Sequence, residues 1–102
     1  MSTFYGGSQL VSVTSLSRTT DGTSSYTVPA GHWAEVWFIT TDNEDSPFNS
    51  SSSGIVNGAT LCSGNSSKEF GMVASGGVIS VDVNSFTGNT YGYAGIKVYK
   101  NP

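Results

Sequence analysis

Few residues of this chain carry side chains able to do chemistry. His32 is the sole histidine and Cys62 the sole cysteine, and there are seven acids among 102 residues. Catalysis needs an acid, a base, a nucleophile or a metal held in a preorganised group. Serine is abundant, yet nothing resembles the Gly-x-Ser-x-Gly elbow that presents a nucleophilic serine. His32 follows a Gly turn and reads as a turn residue held by a hydrogen bond, so no enzyme is expected. A cupin-type metal site would need two or three histidines with a nearby carboxylate, and His32 with Glu35 does not make one. Asp42, Glu44 and Asp45 have the oxygen chemistry of Ca²⁺ ligands, but their spacing is not that of an EF-hand, and they read as a solvated acidic loop. No metal or other cofactor is expected. Cys62 cannot form an internal disulfide, and in Ala59-Thr-Leu-Cys-Ser63 it reads as a buried, inert thiol.

Aromatic residues are the remaining candidates. Trp33 and Trp37 lie on one face of a strand, and Tyr91, Tyr93 and Tyr99 on one face of another, because side chains alternate along a strand. Three roles are open to these rings: ordinary core, a platform on which sugars stack, or a subunit interface, where Trp and Tyr are enriched and charge is depleted. Phe4 and Tyr5, in the N-terminal arm, are candidate anchors on a neighbouring subunit or on the chain's own domain.

The elements that would position these rings are strands. Trp33 to Thr41 contains no Gly or Pro and is rich in aromatic and β-branched residues. Ala34, Val36 and Phe38 point one way, and Trp33, Glu35, Trp37 and Ile39 the other. A strand of a simple one-core domain has one wet face, so this one is expected to be covered twice. Before it, Val28-Pro29-Ala30-Gly31 has the residues of a type II turn. Tyr91 to Lys100 shows the same double character, with Ala94, Ile96 and Val98 on its inner face. Other strands are expected at Gln9–Ser17, Ser25–Val28, Ile55–Val56 and Ala59–Ser63 around an Asn57-Gly58 type I′ turn, and Val78–Asn84 with Ile79, Val81 and Val83 facing in. In Lys68–Ala74, Phe70 and Met72 are expected on one face and Val73 on the other. Asp21-Gly22 carries a hairpin signal, and Asp42 to Gly54, with clustered acids, a Pro and a serine run, reads as a loop. The sum is a single-domain, all-β antiparallel sandwich of about eight short strands, jelly-roll-like, over residues 9–102, with a flexible arm at 1–8.

Composition narrows the function classes. Charged residues make up 11% of the chain and net charge is −3, against about 25% charged in an average protein. Four basic residues scattered along the chain leave no stripe for phosphates, so nucleic acid is excluded as a partner. No apolar run approaches the roughly 20 residues of a membrane span, and the N-terminus lacks the basic start and apolar core of a signal peptide. The two Asn-x-Ser sequons, at Asn49 and Asn65, read as coincidences of a serine-rich chain.

Tyr26-Thr-Val-Pro-Ala-Gly-His-Trp-Ala-Glu-Val36, the later Gly76-Gly-Val-Ile-Ser-Val81 and the final Ile96-Lys-Val-Tyr-Lys-Asn-Pro102 resemble small β-sandwich proteins of tailed-phage virions. These include head decoration or cement proteins, head fibres and tail-tip modules. The resemblance spans roughly residues 25 to 100 and transfers no catalytic residue. It implies a protein made in a host cytoplasm and placed in the virion, a homo-oligomer with a trimer as the expected form, in contact with the major capsid protein or other virion proteins. A Met1 start and this length are expected of a free-standing decoration subunit. The expected function is capsid cement, with Trp33, Trp37, Tyr91, Tyr93 and Tyr99 as contact residues. The alternative is a fibre module that recognises a cell-surface glycan through the same rings and the Asp42–Gly54 loop.

Overall fold

The computed structural model describes residues 7–43, 50–84 and 90–102. They form nine strands: β1 (Gln9–Arg18), β2 (Gly22–Thr27), β3 (His32–Thr40), the two-residue β4 (Asp42–Asn43), β5 (Ser50–Val56), β6 (Ala59–Ser63), β7 (Ser66–Val73), β8 (Val78–Asn84) and β9 (Gly92–Lys100). One sheet has the order β1-β9-β3-β7. The other has β2-β8-β5, with β4 and β6 both paired to β5. All pairings are antiparallel. The strands therefore pair first with last, β1 with β9, β2 with β8, β3 with β7 and β5 with β6. This is a long hairpin wound into two sheets, the order of a jelly roll, and it bears out the all-β sandwich expected from the sequence.

The innermost turn of that hairpin is Asn57-Gly58. Both residues have positive φ, 50° and 82°, as a type I′ turn requires. Asn57 adds a side-chain contact: its Oδ1 accepts the Val78 N–H at 2.9 Å, and its own N–H donates to Val78 O at 2.9 Å. The Pro-Ala-Gly turn sits one residue later than expected. His32 N donates to Pro29 O at 3.2 Å and Gly31 has φ 78°, so the turn is Pro29–His32 with Gly31 at its third position. Asp21-Gly22 does turn the chain, but β1 and β2 belong to different sheets, so it forms a corner between layers and not a hairpin. Arg18 closes that corner, donating to Asp21 O at 2.6 Å and Ser24 Oγ at 3.3 Å.

The core lies between the two sheets. Ala34, Val36 and Phe38 from β3 and Ala94, Ile96 and Val98 from β9 face Ile79, Val81 and Val83 from β8, and all are essentially sealed. Cys62 is buried in the same core, as expected, with its Sγ 3.4 Å from Thr40 Oγ1.

Two expectations are corrected here. The serine run is not a loop. Ser50 to Val56 form β5, which hydrogen-bonds β8 on one side. Its inward row is Ser50, Ser52, Gly54 and Val56, all buried. Small residues are needed there because the Phe38 ring fills the space over Gly54, and Ser52 sits beneath Gly92. In β7, Ala34 pairs with Val73 and Val36 with Phe70, so Gly71 and Met72 stand opposite the single residue Glu35. This bulge breaks the alternation. It brings Phe70 and Val73 to the core side and leaves Met72 63% exposed.

Candidate functional site

The two outer faces of the sandwich differ in chemistry. On the β2–β8 sheet, outward residues meet as hydroxyls and a carboxylate. Thr23 Oγ1 donates to Asp82 Oδ1 at 2.6 Å, and the Ser25 and Ser80 hydroxyls lie 3.0 Å apart. On the β3–β9 sheet the outward pairs are Trp33 with Tyr99, Glu35 with Lys97, Trp37 with Gly95 and Ile39 with Tyr93. Among these pairs the rings lie on the β3–β9 face, and of the five candidate rings Trp33, Trp37, Tyr91, Tyr93 and Tyr99, all but Tyr91 belong to its cross-strand pairs.

The structure divides those rings into a closed end and an open one. At the closed end Trp33 stacks on Tyr99, with centroids 4.3 Å apart and planes at 12°. The Trp33 indole N–H donates to Ser8 Oγ at 2.9 Å, and the Tyr99 hydroxyl donates to Glu35 Oε1 at 2.7 Å. Trp33 is only 5% exposed, so most of its ring is already covered within the single chain. Part of the second cover that β3 was expected to need is thus supplied by the chain itself, from its last strand and from Ser8. The final residue of the expected arm is thereby buried and fixed. Phe4 and Tyr5 lie outside the described residues.

At the open end Trp37 is 46% exposed, more than half of Tyr93 is covered, and Tyr91 is exposed. Trp37 stands beside Gly95, which has no side chain. The Tyr93 ring leans over the same glycine: a Cβ there would lie 3.3 Å from the tyrosine hydroxyl and 3.4 Å from Cε2. A groove of about 580 Å³ runs along this face, bordered by Trp37, Tyr93, Glu35, Lys97 and Glu69 and, on the β1 side, by Val13 and Thr14. Tyr91 sits further along. Its backbone is clamped by Thr41, whose Oγ1 accepts the Tyr91 N–H at 2.9 Å and donates to Tyr91 O at 3.0 Å.

A second uncovered region was not anticipated. Among the described residues β1 ends its sheet, paired only with β9. From Gln9 to Ser15 residues of both faces are exposed, including the inward-pointing Ser12 and Thr14. Leu10 and Val11 are each 48% exposed and Val13 is 67% exposed. The sequence signal was there, in an uncharged apolar strand, but which edge it would occupy depends on topology.

The other candidates have structural roles. His32 Nδ1 hydrogen-bonds Ala30 O at 2.9 Å, and its backbone N–H and carbonyl both meet Ser75 Oγ. Asn65 of the second sequon uses Oδ1 to accept the Asp42 N–H at 2.9 Å. Among the described residues no group of three or more His, Cys, Asp and Glu is placed to hold a metal. Glu44 and Asp45 lie outside them. Comparison with protein-family models, with curated proteins and with solved structures gave no match.

Proposed function

We propose that this chain is a non-enzymatic structural subunit that works as a homo-oligomer, and that its setting is the head of a tailed phage, as a decoration or cement protein. The observation that carries the oligomer reading is the bare β1 edge. A sheet edge offers unpaired backbone N–H and C=O groups to any other strand, and monomeric proteins blunt such edges with charge, proline or short length. From Gln9 to Ser17, β1 has no charge, no proline and no glycine. Its exposed Leu10, Val11 and Val13 add apolar surface that a neighbour would remove from water at about 25 cal/mol per Å². With so few charges in the chain, two copies meet little repulsion. The capsid setting rests on the likeness of residues 25 to 100 to virion sandwiches, and a trimer is the form that likeness favours.

Sedimentation equilibrium at micromolar concentration tests the first part. A mass of two or more chains is expected, falling to one chain in a Leu10→Lys/Val11→Lys variant. A strict monomer in the unsubstituted protein removes the reading. Co-sedimentation with undecorated phage heads tests the second part, and failure to bind any head leaves an oligomer without a capsid role.

A further inference from the structure

We propose that the groove over Gly95 is a carbohydrate subsite that takes one neutral or amino-sugar ring. This goes beyond the assembly reading: Val13 and Thr14 of the β1 edge border the groove, but Leu10 and Val11 do not, and the groups argued to hold the sugar lie on β3, β7 and β9. A pyranose presents a face of C–H groups and a rim of hydroxyls, so its site needs a flat ring, hydrogen-bonding groups at the edge and room between them. Trp37 supplies the ring: it is half exposed, while Trp33 on the same strand is sealed. The electron-rich face of an indole attracts the weakly positive C–H groups of a sugar. Tyr93 forms the second wall: its ring lies over the bare backbone of Gly95, which has no side chain to hold it off, and Trp37 stands beside that glycine in the neighbouring strand.

The rim is supplied by the neighbours in register. Glu69 pairs with Trp37 across β7, and Glu35 pairs with Lys97 across β9. Carboxylates and ammonium groups make charge-assisted hydrogen bonds to hydroxyls, stronger than neutral ones. The groove's 580 Å³ falls in the range of about 300–1,000 Å³ usual for small-molecule sites. Two carboxylates against one lysine set the selectivity: a sialic or uronic acid meets net repulsion, whereas a hydroxyl or a protonated amine does not. A purely apolar anchor from another protein would strip water from Glu35, Glu69 and Lys97 with nothing in exchange.

The test is titration of the isotope-labelled protein with galactose, glucose, mannose, N-acetylglucosamine, glucosamine and N-acetylneuraminic acid, following the two tryptophan indole N–H resonances. At least one neutral or amino sugar is expected to move the Trp37 resonance to saturation, leaving that of Trp33 nearly fixed. Trp37→Ala and Glu69→Gln, with binding followed by the backbone amide resonances of Tyr93, Gly95 and Lys97, are expected to weaken it at least about tenfold, or ~1.4 kcal/mol. Gly95→Val pushes the Tyr93 ring from its place over residue 95 and abolishes binding, and the amide spectrum shows whether each variant keeps its fold. Binding should survive in Leu10→Lys/Val11→Lys, which separates this site from the subunit edge. The proposal is overturned if no sugar of the panel moves the Trp37 resonance, or if a folded Trp37→Ala variant binds as tightly as the unsubstituted protein. It is also overturned if N-acetylneuraminic acid binds best, or if the Trp37 resonance responds to protein concentration and not to sugar.

Discussion

The ring of Phe38 occupies the space that a Cβ on Gly54 would need. One is the largest fully buried side chain of the core, the other a backbone position on the facing sheet. The two layers are keyed together at this point by a ring set against bare backbone.

Gly54→Ala is therefore expected to destabilise the fold, although alanine is ordinarily the better strand residue. Forcing the Phe38 ring aside costs about 1–3 kcal/mol as overpacking, a fall in Tm of about 4–8 °C for each kcal/mol in a domain of this size. Phe38→Leu in the same chain frees space and should recover part of the loss, so a thermal double-mutant cycle should be non-additive.

Removing the acceptor of the Trp33 indole tests the closed end of the outer face. Ser8→Ala removes the Ser8 Oγ acceptor from a buried N–H and is expected to cost about 1–3 kcal/mol. Trp33→Ala removes the stacked ring as well, with an expected loss of about 3–5 kcal/mol. Chemical denaturation measures both, and a near-UV circular dichroism change in Ser8→Ala would report the loosened ring.

At the innermost turn, Asn57→Gly and Asn57→Ala separate two effects. Glycine keeps the positive φ and loses only the side-chain bond to Val78 N–H, at about 0.5–1.5 kcal/mol. Alanine loses the bond and must also adopt a left-handed backbone, which adds about 1–2 kcal/mol. Equal melting temperatures for the two variants would contradict this.

The burial of Cys62 predicts slow reaction with a thiol reagent in the native protein and fast reaction in denaturant. Cys62→Ser places a second hydroxyl beside Thr40 Oγ1, which already donates to Gly64 O at 2.7 Å. A loss of about 1–3 kcal/mol is expected for the buried polar group, read as a lower denaturation midpoint.

Much of this architecture could be read from residue order. Alternation in Val78–Asn84 and Tyr91–Lys100 identified the inward rows, since each apolar residue sits two positions from the next and both strands run without a bulge. Asn57-Gly58 was legible because Asn-Gly is one of the few residue pairs that adopt two successive positive φ values at low cost. Where the reading failed, the reason was packing between distant parts. Serines in β5 carry no hydrophobic signal, and what makes them a strand is the bulk of Phe38 and the backbone of Gly92 on the opposite sheet. The bulge in β7 inverts Phe70 and Met72 relative to simple alternation, and its one local signal was Gly71, an isolated glycine within the strand pattern. At the site, the sequence placed Trp33 and Trp37 on one face but could not say that Tyr99 and Ser8 would close over the first and leave the second open.

The winding of the chain about Asn57-Gly58 sets an order of assembly. Loop closure costs more as the closed segment lengthens, so β5 and β6 can join early, while β1 waits for a partner some eighty positions away. Hydrogen exchange should accordingly find the amides of β5 and β8 slowest and those of β1 fastest. The last strand to arrive is also the least covered once in place. During synthesis of many copies at once, a vacant β9 on one chain can receive β1 from another, so strand exchange is the failure that this topology most readily permits.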